Sequence, residues 1–453
     1  MTANYVLIER ITVGAAGASS VTFNNIPQTG YTDLKVVVSA RSSRSGTNSD
    51  NVNLTFNSST TGYSTKYLEG NGSSASSGAG GTSALTINFT PPSGATSNTF
   101  SNSEIYIPNY TSSAYKSVSG DSTTENNGTT AFADLVAGLW SNTAAITTIT
   151  LTSQVAAFAQ YSTFSLYALA AVGTTPTKAP KAIGGDIIQT DGTYWYHAFL
   201  SSGSFTPQTA LSCDVLVVAG GGGGGFNTGA GGGGAGGLLT FTSQALTANT
   251  TQLVTVGAGG AGGTSTNGAA GGNSSFGSLT AAIGGGYGAG SWDATYRAGG
   301  NGGSGGGASS GNTGYGGASG GTGTSAQGNN GGATSGRPSA GGGGGGAGAV
   351  GADAANGAGG NGGNGVNTYS TWATATSTGV SGYYAGGGGG SDYPSGYGVG
   401  GAGGGGNGGA YGSTSPTAGT ANTGSGGGAG QNGSGNGYGA SGGSGIVIIR
   451  YAY

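Results

Sequence analysis

The sequence predicts an all-β protein in two parts, an N-terminal jelly-roll-like β-sandwich and then a glycine-rich domain of short strands and packed polyglycine II helices. Three observations predict it. Short apolar runs rich in β-branched residues recur through the first 170 residues, several alternating with polar positions and separated by turn residues. From Asp214 onward glycine runs dominate, and only Asp293, Arg297, Arg337, Asp353, Asp392 and Arg450 carry charge after it. No convincing amphipathic helix shows in the N-terminal part.

The strands are expected in this order. Tyr5–Val13 opens the series and Val21–Phe23 follows. Leu34–Ala40, Val52–Phe56, Leu85–Phe89 and Ser103–Ile107 continue it, and Ile146–Leu151 and Thr163–Ala168 close it. Around eight strands in this length fit a sandwich over residues 1–170. Trp140 and Trp195 lie in strand patterns and read as core. Residues 171–182 carry the Pro, Thr and Gly of a linker. The glycine-rich domain then spans 183–453. Tyr194–Leu200 opens it with a hairpin, placing Trp195, His197 and Phe199 on one face and Tyr194, Tyr196 and Leu200 on the other. Asp214–Ala219, Leu238–Thr242, Gln252–Val256 and Ile446–Tyr453 read as four buried strands of one small sheet.

The chain holds 109 glycines in 453 residues, too many for an ordinary side-chain core. Such composition usually means disorder. Low charge, interleaved strands and the uneven spacing of the runs favour order here. Runs such as Gly220–Gly225, Gly231–Gly234, Gly341–Gly346, Gly386–Gly390 and Gly403–Gly406 suit the threefold polyproline II helix, which has no internal hydrogen bonds. Its N–H and C=O groups must find partners. Neighbouring glycine helices supply them, because only glycine lets backbones approach so closely.

A net charge of −3 and 6% charged residues offer no basic footprint for nucleic acid and no polybasic membrane patch. One cysteine, Cys213, excludes an intramolecular disulfide and reads as a small apolar residue. The N-terminus lacks the features of a signal peptide and no run is long enough to span a membrane. The expectation is a soluble protein made in a cytoplasm that, if it works outside a cell, leaves by a route other than secretion.

Succession of motifs carries a resemblance. His197–Thr206, Val215–Gly225, Gly231–Leu239, Val254–Gly260 and Ser444–Tyr451 together resemble the glycine-rich domain of bacteriophage tail-fibre and receptor-binding proteins. Tyr5-Val-Leu-Ile, Ile26-Pro-Gln-Thr and Phe164-Ser-Leu-Tyr167 make the N-terminal part similar to β-sandwich domains in virion proteins of marine phages. The resemblance implies a protein of the virion surface whose polyglycine helices carry variable loops that touch the host. In such a virion appendage the sandwich over residues 1–170 would anchor or oligomerise the chain.

Catalytic chemistry finds little support. Gly-x-Gly-x-x-Gly arises by chance in glycine tracts, and no Gly-Lys-Ser/Thr follows one. Gly120-Asp-Ser122 lacks a nearby base, since His197 lies in the other domain with Tyr194, not Asp, three residues before it. Asp121 with Glu125, or Asp50 with Glu69, offers a carboxylate pair, but loop carboxylates are the simpler reading. A metal site would need three copies of His197 around a trimer axis. No enzyme activity, cofactor or metal is therefore expected.

The surviving candidates are aromatic. Tyr287, Trp292, Asp293, Tyr296 and Arg297 form one group. Tyr369, Trp372, Tyr383 and Tyr384 form a second, and Tyr393, Tyr397 and Tyr411 a third. Aromatic faces beside polar groups suit sugar rings and outer-surface protein loops. The same rings could instead cover the lattice or pack against a partner subunit. The expected function is a phage tail fibre or adhesin, a homo-oligomer with a trimer favoured, bound to other virion proteins and to a host surface glycan or outer-surface protein. The alternative is a head fibre or capsid decoration. A tail enzyme that degrades glycans fits the charge-poor C-terminal half less well, and the missing signal peptide and disulfides count against an ice-binding or adhesive glycine-rich protein.

Overall fold

The computed structural model describes residues 5–126, 131–171, 179–290, 297–310, 317–334, 340–355, 357–393, 396–412, 414–432 and 437–453. The first strands are β1 (Tyr5–Thr12), β2 (Ser20–Phe23), β3 (Tyr31–Ser39), β4 (Asp50–Phe56), β5 (Tyr63–Gly70) and β6 (Ala75–Ala79). Then come β7 (Leu85–Thr90), β8 (Asn102–Ile107), β9 (Lys116–Thr123), β10 (Ala133–Trp140), β11 (Ile149–Ser153) and β12 (Thr163–Ala170). β13 (Ala182–Ile183), β14 (Ile187–Thr190), β15 (Tyr194–Phe199), β16 (Gly203–Pro207) and β17 (Leu211–Val218) follow. The chain continues through β18 (Leu238–Leu246), β19 (Gln252–Thr255), β20 (Ser275–Phe276), the short helix α1 (Ser370–Thr376) and β21 (Ile446–Ala452). Two compact units result. One comprises Met1–Pro180, Ile187–Trp195 and Tyr453, the other Lys181–Asp186 and Tyr196–Ala452.

In the first unit, apolar residues at every second position turn one face of β3, β4 and β12 inward. Val52, Leu54 and Phe56 of β4, Leu34, Val36 and Val38 of β3, and Phe164, Leu166 and Ala168 of β12 are fully buried. One sheet runs β14-β1-β12-β3-β8-β9-β10-β5-β6 and the other β2-β11-β4-β7. Their inner faces share one hydrophobic core, the arrangement of a sandwich. Trp140 is buried, its ring 5.4 Å from Phe56 and 6.1 Å from Tyr63. Trp195 is buried and stacks on Tyr453 at 5.8 Å.

Four strands lie outside the expected series: β5, β6, β9 and β10. Ser, Thr, Gly and Lys dominate the sequences of β5, β6 and β9, so their apolar alternation is too thin to read. The expected linker ends one residue early, because Ala182 and Ile183 already pair with Pro207 and Thr206; residues 172–178 of it lie outside the described residues. The turn Asp191–Thr193 makes the expected hairpin, with Asp191 Oδ1 accepting N–H of Thr193 and Tyr194 at 2.8 Å. That turn clusters with the first unit, not the second. Burial on β15 does not alternate: Trp195 to Phe199 are all covered.

In the second unit, β18, β17 and β21 share a sheet as expected and pair antiparallel, but β18 is half-buried to exposed rather than buried. The Gln252–Thr255 strand does not join them. It pairs with β16 and β20 instead, in the order β13-β16-β19-β20. Cys213 is buried in β17. His197, which a trimer-axis metal would need, is fully buried with both ring nitrogens hydrogen-bonded to Gly184 and Tyr451. It cannot reach a subunit axis.

Beyond the strands, the glycine runs pack as a lattice, and Gly220–Gly225 shows its rule. Gly220 and Gly223 donate N–H to Gly272 and Ala269, Gly221 and Gly224 to Gly443 and Ala440, and Gly222 and Gly225 to Gly234 and Gly231, all at 2.8–3.0 Å. Their carbonyls accept from Gly285 and Gly288, from Gly260 and Gly263, and from Gly427 and Gly430. The period of three is that of polyproline II geometry. The three accepting neighbours run antiparallel to this run and the three donating ones parallel.

None of the six glycines has a positive φ; what demands glycine is closeness. A Cβ on Gly223 would stand 2.0 Å from Ala261 O, and one on Gly224 2.0 Å from Gly428 O. Carbonyls occupy the side-chain position, the geometry of Cα–H···O contacts. At the exposed rim, asparagine replaces the missing neighbour. Asn361 and Asn364 Oδ1 accept N–H from Val399 and Ala402 at 2.8 and 3.0 Å. Asn273 and Asn267 do the same for Gly284 and Gly290.

Candidate functional site

Aromatic side chains of the second unit separate into three fates. Trp292, Asp293 and Tyr296 lie outside the described residues. Of their group, Tyr287 is half-buried and lies over Gly300, where a Cβ would come within 2.5 Å of the ring. Arg297 is half-buried as well, its carbonyl accepting from Ser309 N–H at 2.9 Å.

The second group turns out to be structural at its centre. Residues 370–376 form α1, a helix not expected, which ends at Ser377 in the left-handed conformation. It sinks Trp372 to 3% exposure. Tyr369 and Tyr196 approach that ring edge-on at 5.8 and 6.2 Å, and the Arg450 guanidinium lies over it at 4.4 Å. Asp214 Oδ2 holds Arg450 in place, accepting from Nε and Nη2 at 3.1 and 3.0 Å. Tyr384 is fully buried, bonded to Thr378 Oγ1 at 2.6 Å, and burial pushes its phenol up to about 12. Neither Trp372 nor Tyr384 can meet a receptor. Tyr369 and Tyr383 are half-buried; a Thr240 hydroxyl donates to Tyr369, and Tyr383 exchanges backbone bonds with Val380.

The third group is the surface one. Tyr393, Tyr397 and Tyr411 are 48%, 38% and 45% exposed. Backbone bridges gather them: Asp392 beside Ala410 in parallel, and Ser391 across from Tyr397. The first bridge brings the next residues together, so the rings of Tyr393 and Tyr411 meet edge to face at 4.8 Å. Below them Asp392 is 1% exposed, its carbonyl accepting from Gln431 Nε2 at 2.7 Å. Its Oδ2 has no hydrogen-bond partner, and burial pushes the carboxyl up to about 6. Tyr438, 48% exposed and 6.3 Å from Phe226, adds a further surface ring that sequence reading missed. A single tyrosine between Gly437 and Gly439 was its signal, although Tyr287, also set between glycines, is half-buried.

The acidic residues paired from sequence sit in different settings. Asp50 is fully buried and saturated by Ser42 Oγ, Ser153 Oγ and Arg44 Nη1. Glu69 accepts from Ser76, while Asp121 and Glu125 are exposed. Among the described residues no group of three or more His, Cys, Asp or Glu could hold a metal, and no helix is long and apolar enough to cross a membrane. What the tyrosine surface can do is present ring edges and hydroxyls from a rigid backbone. A family model described as a glycine-rich domain matches residues 200–452. No curated protein matches the chain.

Proposed function

Because the chain belongs to the glycine-rich domain family, we propose that it is a virion appendage, a tail fibre or adhesin that recognises a host cell surface without covalent chemistry. The observation that carries the reading is the Tyr393–Tyr411 pair, exposed and fixed by the backbone bridge of Asp392 to Ala410. Rigid aromatic groups give contact area at low entropy cost. A lattice held by backbone bonds supports them, so loops can differ while the scaffold stays the same. The partner would be a surface glycan or an outer-surface protein. The first unit would anchor the chain to other virion proteins and assemble it, most simply as a trimer. A single weak site, with Kd on the order of 1 mM, then gains strength from several copies.

The test is competition. Purified protein in excess should block adsorption of a phage that carries it to its host, and Tyr393→Ala with Tyr411→Ala should remove the blocking while the fold persists. Normal adsorption in the presence of folded protein, with no protein bound to cells, would reject recognition and leave a head fibre or capsid decoration.

A further inference from the structure

We infer that the first unit carries a ligand site of its own, a cavity of about 210 Å³ that takes one neutral, polyhydroxylated ring such as a terminal sugar. Asn51, Tyr67, Thr86, Phe89, Asp134 and Gln154 line it. The strands place them there. Asp134 is on β10, and inward-facing positions on this strand alternate with exposed ones. Tyr67 is on β5, opposite Gly78 of β6. That glycine makes room for the ring: a Cβ there would come within 2.4 Å of Tyr67 Oη.

The feature that points to a ligand is Asp134. It is 6% exposed, and its Oδ2 accepts from Ser122 Oγ at 3.0 Å. Its Oδ1 is buried without a partner. A buried carboxyl oxygen left unbonded is costly and calls for an explanation. Desolvation pushes this carboxyl up to about 6, in keeping with an acceptor held away from water. Oδ1 is shielded in this conformation, so a ligand hydroxyl would satisfy it after a small rotation of the Asp134 side chain toward the cavity.

The other walls narrow the class. Phe89 and Tyr67 offer apolar ring surface for the C–H face of a sugar. Asn51 Nδ2 donates to Gln154 Oε1 at 2.8 Å, which leaves Asn51 Oδ1 and Gln154 Nε2 as an acceptor and a donor. A metal ion fits poorly, since no group of three acidic, His or Cys ligands exists among the described residues. The volume falls below the roughly 300–1,000 Å³ typical of drug-sized ligand pockets, so one ring fits and a long chain does not. The residues that line the site all belong to the first unit.

The test uses the full chain and four probes, glucose, galactose, mannose and N-acetylglucosamine, each followed by saturation-transfer NMR. At least one should bind with Kd on the order of 1 mM. Asp134→Asn and Phe89→Leu should each weaken it about tenfold or more, while Tyr411→Ala leaves it unchanged. Gln154→Ala, at the exposed rim, should weaken it a few-fold even if the buried variants fail to fold. Three results would overturn the inference: no probe binds, Gln154→Ala and a folded Asp134→Asn both bind normally, or Tyr411→Ala abolishes binding. Calcium binding at Asp134 in place of sugar would overturn it too.

Discussion

The hydroxyl of Tyr451 donates to Nε2 of His197 at 2.9 Å. This direction follows from the other side of the ring, where Nδ1 lies 2.6 Å from Gly184 O, a pure acceptor. Nδ1 therefore carries a proton, and burial keeps the ring neutral, which leaves Nε2 as the acceptor. Tyr451 Oη meanwhile accepts from Lys181 N–H at 2.9 Å. Burial lowers the histidine from 6.5 to about 4.

A depressed value means that the unfolded chain takes up the proton first as pH falls. Stability from this site is complete above pH 6.5 and is lost as pH drops through about 4. The total is on the order of 3 kcal/mol. His197→Gln should lower the unfolding temperature at pH 7 and flatten its dependence between pH 7 and 4, as read by calorimetry. An unchanged acid slope in that variant would refute the assignment.

Glu9 predicts the opposite slope. It is 1% exposed in the first unit, Oε1 accepts from Asn25 N–H at 3.3 Å, and Oε2 is unpartnered. Burial raises the carboxyl from 4.5 to about 8. The folded state then holds a proton that the unfolded state releases, so stability is greatest below pH 4.5 and declines as pH rises through 8. Glu9→Gln should stabilise the protein at pH 8.5 by up to about 5 kcal/mol, with little gain at pH 4.5. Thermal melts of both proteins at the two pH values decide this.

Lattice closeness makes single methyl groups intolerable. Gly223→Ala would set a Cβ 2.0 Å from Ala261 O, a backbone atom that cannot swing away. Destabilisation of about 4 kcal/mol or more is expected. Gly203→Ala is the control: it meets only the Phe199 ring, at 3.4 Å, and should cost less than about 1 kcal/mol. Equal melting of the two variants would mean that the runs are looser than described.

Trp372 and Tyr411 should part company when each is replaced by alanine. Trp372→Ala empties a buried place beneath Arg450 and should cost about 3–5 kcal/mol. Tyr411→Ala, at an exposed position, should leave melting within about 0.5 kcal/mol yet reduce cell binding. If the second variant binds cells normally, recognition lies elsewhere on the surface.

Legibility followed physical signal strength. Strands with β-branched residues on the inner face, such as Val52–Phe56, announce themselves. β9 does not, because Lys116, Val118 and Ser122 form its buried face. Glycine runs declared the kind of order but not the partners, since one run is chemically like the next. Trp372 looked like a surface ligand because its burial depends on Arg450 and Tyr196, both distant in sequence. Asp134 gave no sign at all: its cavity arises where strands of both sheets meet.

The threefold turn of the lattice also limits how such a chain can change its length. Successive residues of Gly220–Gly225 address one neighbour, then a second, then a third. Inserting one glycine would rotate every later donor by about 120°, onto the wrong neighbour. Inserting three would restore the match. Descendants of this chain should therefore gain or lose run residues in triplets, while segments between runs drift freely in length, so that inherited indels carry the pitch of the helix.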